Sequence, residues 1–257
     1  MRLLSWNIRG LGSRVKISEA RRIVRENNID IAFIQETKKE MISIELVRKF
    51  WADDNFDFRF VGSIGKSGGI LTIWDKNKFE ETSYTIKESF LFIEGKWMST
   101  NLQIALANVY APCSIHNQKL LWEEIRSQKI VSCVCWFLGG DFNAIRKLSE
   151  RRSVSNSKAC IKEFNSFIDD CKFFDLPLIG IKYTWYGPNN KRSRIDRIMV
   201  EEDWLFNNSD AHLKALPRTV SDHIPLLMTL EKIDWGPRPF KFINAWTNQE
   251  GYASIVN

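Results

Sequence analysis

The 257-residue sequence is short of most features that mark a secreted, membrane-spanning or zinc-stabilised protein. Its five cysteines (Cys113, Cys133, Cys135, Cys160, Cys171) are odd in number and form no C-x-x-C pair. With no histidines beside them at zinc-finger spacing, neither a disulfide framework nor a structural zinc is expected. No apolar run approaches the ~20 residues that cross a bilayer. The opening Met1-Arg2-Leu3-Leu4-Ser5-Trp6-Asn7 meets polar residues too early for the apolar core of a signal peptide. The expected setting is therefore reducing, the nucleus or cytosol, with no secretion and no membrane partner. Three histidines are too few for an imidazole cluster. Internal repeats and low-complexity tracts are absent.

What remains is an ordinary globular composition, 44% hydrophobic and 26% charged, far from that of disordered chains. The net charge of +6 suits a polyanionic partner but also simple solubility. Short apolar, β-branched runs at 2–8, 29–35, 56–62, 69–74, 83–86, 91–98, 102–110, 134–138, 194–200 and 225–230 read as strands. Helical patterns fall at 16–28 (Ile17, Ala20, Ile23 and Val24 on one face), 39–51, 116–129, 159–171 and 202–207. Uninterrupted strands between 56 and 110 read as an antiparallel meander, while both ends alternate strand and helix. The order predicts an α+β sandwich with helices outside two sheets. The Pro- and Gly-bearing run 234–240 closes the expected compact domain at 1–232, and 233–257, with Phe240, Phe242, Trp246 and Tyr252, reads as the start of a connector.

Polar residues gather at predicted strand ends: Trp6-Asn7, Gln35-Glu36, Asn108-Val109-Tyr110-Ala111-Pro112 and Gly140-Asp141-Phe142-Asn143. Arg194-Ile195-Asp196-Arg197 and Ser221-Asp222-His223 complete the set. Taken singly, each reads as a turn former or cap. Together they form a hard, oxygen-rich donor set suited to Mg²⁺ or Mn²⁺ rather than zinc or copper. Glu36 is the expected metal ligand. Asp141, with Asn143 to orient it, is the expected base for water. His223, held by Asp196, would stabilise charge on a phosphorane-like transition state. This is a complete set for phosphodiester cleavage. Trp6 reads as packing, His116 and His212 as ordinary surface or core residues, and Cys133 and Cys135 as packing along a strand.

The ordered series resembles the endonuclease/exonuclease/phosphatase superfamily, which includes deoxyribonuclease I and the apurinic/apyrimidinic (AP) endonucleases. Within it the chain looks most like the N-terminal endonuclease domain of plant non-LTR retrotransposons of the long interspersed element type. Asn-Ile-Arg-Gly at 7–10, Tyr183-Thr184-Trp185 and the segment 235–240 carry that likeness. The resemblance implies a four-layer αββα sandwich with the site across the top of two sheets. It implies that Glu36 binds the metal with Asn7 hydrogen-bonding beside it. Asp141 and Asn143 would handle the water, Tyr110 would contact the scissile phosphate, and Asp196 and His223 would pair. Asp222 would lie near the metal or a second metal position, and Thr184 and Ser221 would hold the DNA backbone or phosphate. Many repair members carry an acidic residue where this chain has Arg9.

Arg9, Arg14, Lys191 and Arg192 lie in loops beside the motifs and are candidate phosphate contacts, whereas Arg21, Arg22 and Arg25 read as a solvated helix face. The basic surplus, including Arg194 and Arg197, is expected to concentrate around the site. The resemblance implies a Mg²⁺-dependent monomeric endonuclease that nicks double-stranded DNA to leave a 3′-hydroxyl for reverse transcription, once fused to a reverse transcriptase. Two alternatives stand beside it: a same-fold phosphatase or phosphodiesterase acting on an inositol phosphate, sphingolipid or RNA, and a silent, nucleic-acid-binding transposon remnant.

Overall fold

The computed structural model describes residues 1–51, 53–65, 67–132, 134–152 and 158–231. Cys133 and the expected connector 233–257 lie outside them. The central strands of each sheet are apolar on both faces, so both faces must be covered. In β1 (Arg2–Asn7), Leu3 faces the centre of the molecule while Leu4 and Trp6 face a helical layer. In β2 (Ile31–Gln35), Ile31 and Phe33 face the centre and Ala32 and Ile34 face outwards. The period-two alternation of side-chain direction thus supplies two apolar layers from one run.

The first sheet runs β11 (Leu178–Ile179), β15 (His212–Ala215), β16 (Leu226–Thr229), β1, β2, β4 (Ile70–Asp75), β3 (Phe56–Val61). The second runs β10 (Phe173–Asp175), β14 (Asp196–Glu201), β8 (Cys135–Asp141), β7 (Leu102–Tyr110), β6 (Phe90–Trp97), β5 (Phe79–Ile86). Leu3, Phe33 and Trp74 meet Ile93, Leu106, Phe137 and Ile198 between them. Helices α1 (Arg14–Glu26) and α2 (Ile44–Phe50) cover the first sheet through Ile23, Val24, Val47 and Phe50. Helices α3 (Ile115–Val131) and α4 (Lys158–Asp170) cover the second through Trp122, Ile125, Phe164 and Phe167. Ser13, Ser43 and Ser114 cap α1, α2 and α3 by accepting from backbone N–H groups of the first turn. The layers are helix, sheet, sheet, helix, the four-layer αββα arrangement. A short α5 (Glu202–Asn207) follows β14, and a small rim sheet joins β12 (Trp185–Tyr186), β13 (Arg192–Ser193) and β9 (Arg151–Arg152). No helix of the described residues is long and apolar enough to cross a membrane.

The expected meander divides between the two sheets. β3 and β4 close the edge of the first, and β5, β6 and β7 belong to the second. The chain changes sheet in the turn after Asp75, where Lys78 N donates to Asp75 O and Phe79 then enters the central layer edge-on to Trp74, centroids 5.7 Å apart.

Two buried polar links pin the sheets at one end. Gln35 Nε2 donates to Asn108 Oδ1 at 2.7 Å, and Asn108 Nδ2 donates to Leu71 O and Thr72 Oγ1. Asn7 Nδ2 donates to Asp141 Oδ2 at 2.9 Å. Each link joins the first sheet to the second, and such groups specify one alignment because any slip leaves them unpaired.

Candidate active site

Parallel pairing of β1 with β2, and of β7 with β8, brings the C-terminal ends of four strands to one edge of the sandwich. Asn7, Glu36, Tyr110 and Asp141 stand there. The other two groups arrive by the opposite route. Asp196 begins β14, which runs antiparallel to β8 in the register Asp196 to Asp141. His223 precedes β16, antiparallel to β1, and bridges to Trp185. They are strand starts rather than strand ends, and antiparallel pairing puts a start beside its neighbour's end.

The residues line a cleft of about 470 Å³ with Asn7, Arg9, Glu36, Tyr110, Asp141, Asn143 and His223 in its wall. Asp141 is buried. Its Oδ2 accepts from Asn7 and its Oδ1 from the Asn143 backbone N–H at 3.0 Å. Desolvation, with the Asp196 charge adding to it and His223 opposing, raises its pKa to about 7. The His223 ring donates through Nδ1 to Asp196 at 2.9 Å, which leaves Nε2 facing Asp141 Oδ2 at 3.9 Å. Burial opposes the imidazolium, yet the Asp196 charge and hydrogen bond outweigh it and lift the pKa to about 9. Burial and the Asp196 charge thus push Asp141 towards its protonated form, while Asp196 favours the imidazolium of His223. Tyr110 is driven far above the ordinary phenol range by burial and by the Glu36 and Asp141 charges, so it stays a neutral donor.

Glu36 lies at positive φ (54°), a conformation that few non-glycine residues adopt, as do Arg9 (55°), Lys38 (54°) and Asn143 (47°). The surrounding backbone enforces it. Gly10 N and Leu11 N donate to Glu36 O and Thr37 O from one side, while Thr37 N and Lys38 N donate to Gly69 O and Gly68 O from the other. A Cβ on Gly69 would lie 2.2 Å from Thr37 Oγ1, so the second clamp requires glycine there. The motif pattern does not single out these two glycines; their only signal in the sequence is a Gly-Gly pair just before a strand.

Several motif residues have work elsewhere. Thr184 is fully buried, and its Oγ1 accepts from Ile195 N and Asp196 N, so it shapes the start of β14 rather than reaching substrate. Ser221 donates to Asn7 O and accepts from His223 N, tying these two together. Asp222 is ion-paired with Arg9 and accepts from Trp185 Nε1 at 3.1 Å. Arg192, between Lys191 and Ser193 of the cleft wall, lies over the Tyr186 ring, with Arg218 also over it. Arg194 and Arg197 are not part of a phosphate-facing surface: with Arg146 they form a buried ion network on Glu150 and Asp175, their charge spent inside the protein. Cys113, Arg151, Trp185, Lys191, Ser193 and Ile195 complete the cleft wall. Trp6 packs as expected, and its Nε1 donates to His223 O. His212 is buried against Thr229.

The donors facing the cleft are carboxylate, amide and phenol oxygens, the chemistry of a hard divalent cation. Among the described residues, one group of three acidic or imidazole ligands lies within mutual reach, Asp141, Asp196 and His223. Asp196 and His223 already satisfy each other there, and Glu36, ion-paired with Lys38 at 3.0 Å, is the other carboxylate of the cleft wall beside Asp141.

The sequence pattern of the Endonuclease/Exonuclease/phosphatase family matches residues 4–223. No curated protein sequence matches the chain. Among solved structures, an AP endonuclease from Leishmania major superposes with a TM-score of 0.71 at 15% identity, covering 88% of this chain and 86% of its own. The endonuclease domain of TRAS1, a telomere-specific non-LTR retrotransposon, gives 0.66 at 15% identity, covering 88% and 96%. A mannosyl-6-phosphatase from Bacteroides thetaiotaomicron gives 0.60 at 14% identity, covering 89% and 98%. At these identities the likeness is one of fold. The sequence match over most of the chain and the sandwich beneath it give the same answer: the chain belongs to the endonuclease/exonuclease/phosphatase family, a superfamily of hydrolytic nucleases and phosphatases.

Proposed function

We propose that the protein is a divalent-metal-dependent endonuclease that nicks double-stranded DNA, leaving a 3′-hydroxyl and a 5′-phosphate. The observation that carries this reading is the geometry of the cleft, where Asp141, held by Asn7 and the Asn143 N–H, faces Nε2 of a His223 whose Nδ1 donates to Asp196, with Glu36 and Tyr110 in the same wall. Asp141 takes a proton from water as the water attacks phosphorus, with Asn7 and Asn143 fixing the carboxylate's direction. His223 Nε2 and the Tyr110 hydroxyl donate to the phosphate oxygens, where negative charge grows. Glu36, with Asn7 beside it, would hold Mg²⁺ or Mn²⁺. That ion, when bound, supplies charge neutralisation at the phosphate and at the leaving 3′-oxygen.

DNA as substrate is supported by the basic residues Arg9, Arg151 and Lys191 in the cleft wall and by Arg192 next to Lys191. A retroelement role, in which the nick primes reverse transcription, is supported by the motifs shared with that branch and by the fold of the TRAS1 domain. Supercoiled plasmid tests the proposal. Conversion to nicked circle with Mg²⁺, lost with EDTA and in Asp141→Ala, and extension of the nick by a DNA polymerase are the expected results. Phosphate release from inositol polyphosphates without nicking would transfer the protein to the phosphatase side of the family. Salt-sensitive DNA binding without cleavage would make it a silent remnant.

A further inference from the structure

The rim sheet puts one arginine into the cleft wall and braces it on more than one side. Arg151 opens β9, which pairs with β13 in the register Arg151 to Ser193. Its Nε donates to Ser193 Oγ at 2.9 Å, and Ser193 is buried. The residue before it is anchored as well. The Glu150 carbonyl accepts from Arg194 N at 2.9 Å, and the Glu150 carboxylate is a partner of the wholly buried Arg197. The buried ion network thus fixes the backbone that carries Arg151.

The guanidinium held in this way is half-buried, lines the cleft and lies within electrostatic reach of Asp141 and Cys113. A rigid planar fork suits the position: its Nε edge rests on Ser193, and its far edge therefore keeps a set direction, which an ammonium on a flexible stem would not. Chain order tells which side of the cleft it serves. Arg9 and Glu36 follow β1 and β2 of the first sheet, whereas Cys113 and Arg151 follow β7 and β8 of the second. Asp141, which accepts from Asn7 across the gap between the sheets, stands at the seam.

We propose that Arg151 binds the phosphate next to the one attacked, on the side of the second sheet, so that the site selects a phosphodiester inside a strand over an isolated phosphate ester. The inference rests on the endonuclease reading given above and deepens it. With the attacked phosphate at Asp141 and His223, a strand that crosses the seam carries its two neighbouring phosphates over one sheet and over the other. The cleft, at about 470 Å³, is several times the size of a single phosphate group. A substrate with one phosphate forgoes the contact with Arg151. Ser193 acts through the arginine, as a positioning residue that aims the guanidinium.

The test uses duplexes that span a nick position mapped on plasmid, with a neutral methylphosphonate placed in turn at each of the two phosphates beside the scissile one. For the full chain, neutralising one of the two is expected to raise KM about tenfold to a hundredfold, the worth of a hydrogen bond between charged groups. Arg151→Met is expected to raise KM by a similar factor on the unmodified duplex, with a smaller fall in kcat, and to lose nothing more when that phosphate is neutralised. Arg151→Lys keeps the charge but not the Nε contact and recovers only part of the loss. Ser193→Ala raises KM in the wild-type background and adds nothing to Arg151→Met. Should Arg151→Met unfold, Arg151→Gln carries the same comparison. Equal sensitivity to the methylphosphonate with and without the arginine overturns the proposal, as does an unaltered KM or a loss confined to kcat. A wild-type chain that nicks no duplex overturns the endonuclease reading instead, before any variant is made.

Discussion

Asp141 and His223 share one cavity, and their displaced titrations set the pH range in which the site is primed. In the proposed mechanism cleavage requires Asp141 ionised and His223 protonated, so the rate is expected to rise through about 7 and fall through about 9. Removing the counter-ion with Asp196→Asn should draw the alkaline limb downwards, read from the pH dependence of kcat/KM. The same shift bears on stability. The folded pKa of His223 lies above its ordinary 6.5, so the contribution of the Asp196 pair is fully present below that value and is lost as pH rises through about 9. A fall in Tm across that interval, absent in His223→Gln, is the expected signature. Thr184 offers a second test. Thr184→Val strands two buried N–H groups and should cost about 1–3 kcal/mol in urea unfolding, restored by Thr184→Ser, with KM for DNA unchanged. The contrast explains what a sequence can show at this scale. Asn7, Glu36, Tyr110, Asp141 and Asn143, at or just past strand ends, and His223, just ahead of a strand, are polar residues that converge on one cleft. A motif threonine reads as a phosphate ligand until the backbone groups it satisfies are seen.

The strands that deliver these groups depend on positions without side chains. Gly140, next to Asp141 in β8, sits at φ +147°, and a Cβ there would come within 1.9 Å of Val109 O on the neighbouring β7. Gly140→Ala is expected to destabilise the fold by about 3 kcal/mol and to lower cleavage further by tilting Asp141, checked by parallel unfolding and single-turnover assays. Element types are legible because periodicity of two or 3.6 survives in the sequence: the expected run 102–110 is β7 and 202–207 is α5. Sheet membership is not, because the apolar pattern of β3 to β7 is equally suited to one meander or to two sheets. The change of sheet hangs on a three-residue turn and on where Phe79 goes. Short β10 and β15 escape a reading by pattern, since three or four residues carry too little alternation to register.

For the molecule as a whole, the number of basic residues counted in the sequence overstates what a polyanion meets. Arg197 is wholly buried on Glu150 and Asp175, so Arg197→Met should cost about 3–5 kcal/mol by leaving carboxylates under-neutralised, measured as a lower urea midpoint. Replacing Lys191, in the cleft wall, and Arg192 next to it should leave stability within about 0.5 kcal/mol. The same pair should flatten the salt dependence of DNA binding by about one unit of slope for every phosphate left without its basic side chain. Residue counts hold the total but not this division between inward and outward charge. The sheet order has an outcome of its own during synthesis. β16, the last strand described, inserts between β15 and β1, and His223 arrives just ahead of it. Until about residue 229 has left the ribosome, the edge of β1 is open and the imidazole has no place beside Asp196, so the cleft is complete only once β16 has paired, and the unpaired edge stays exposed to other strands until then.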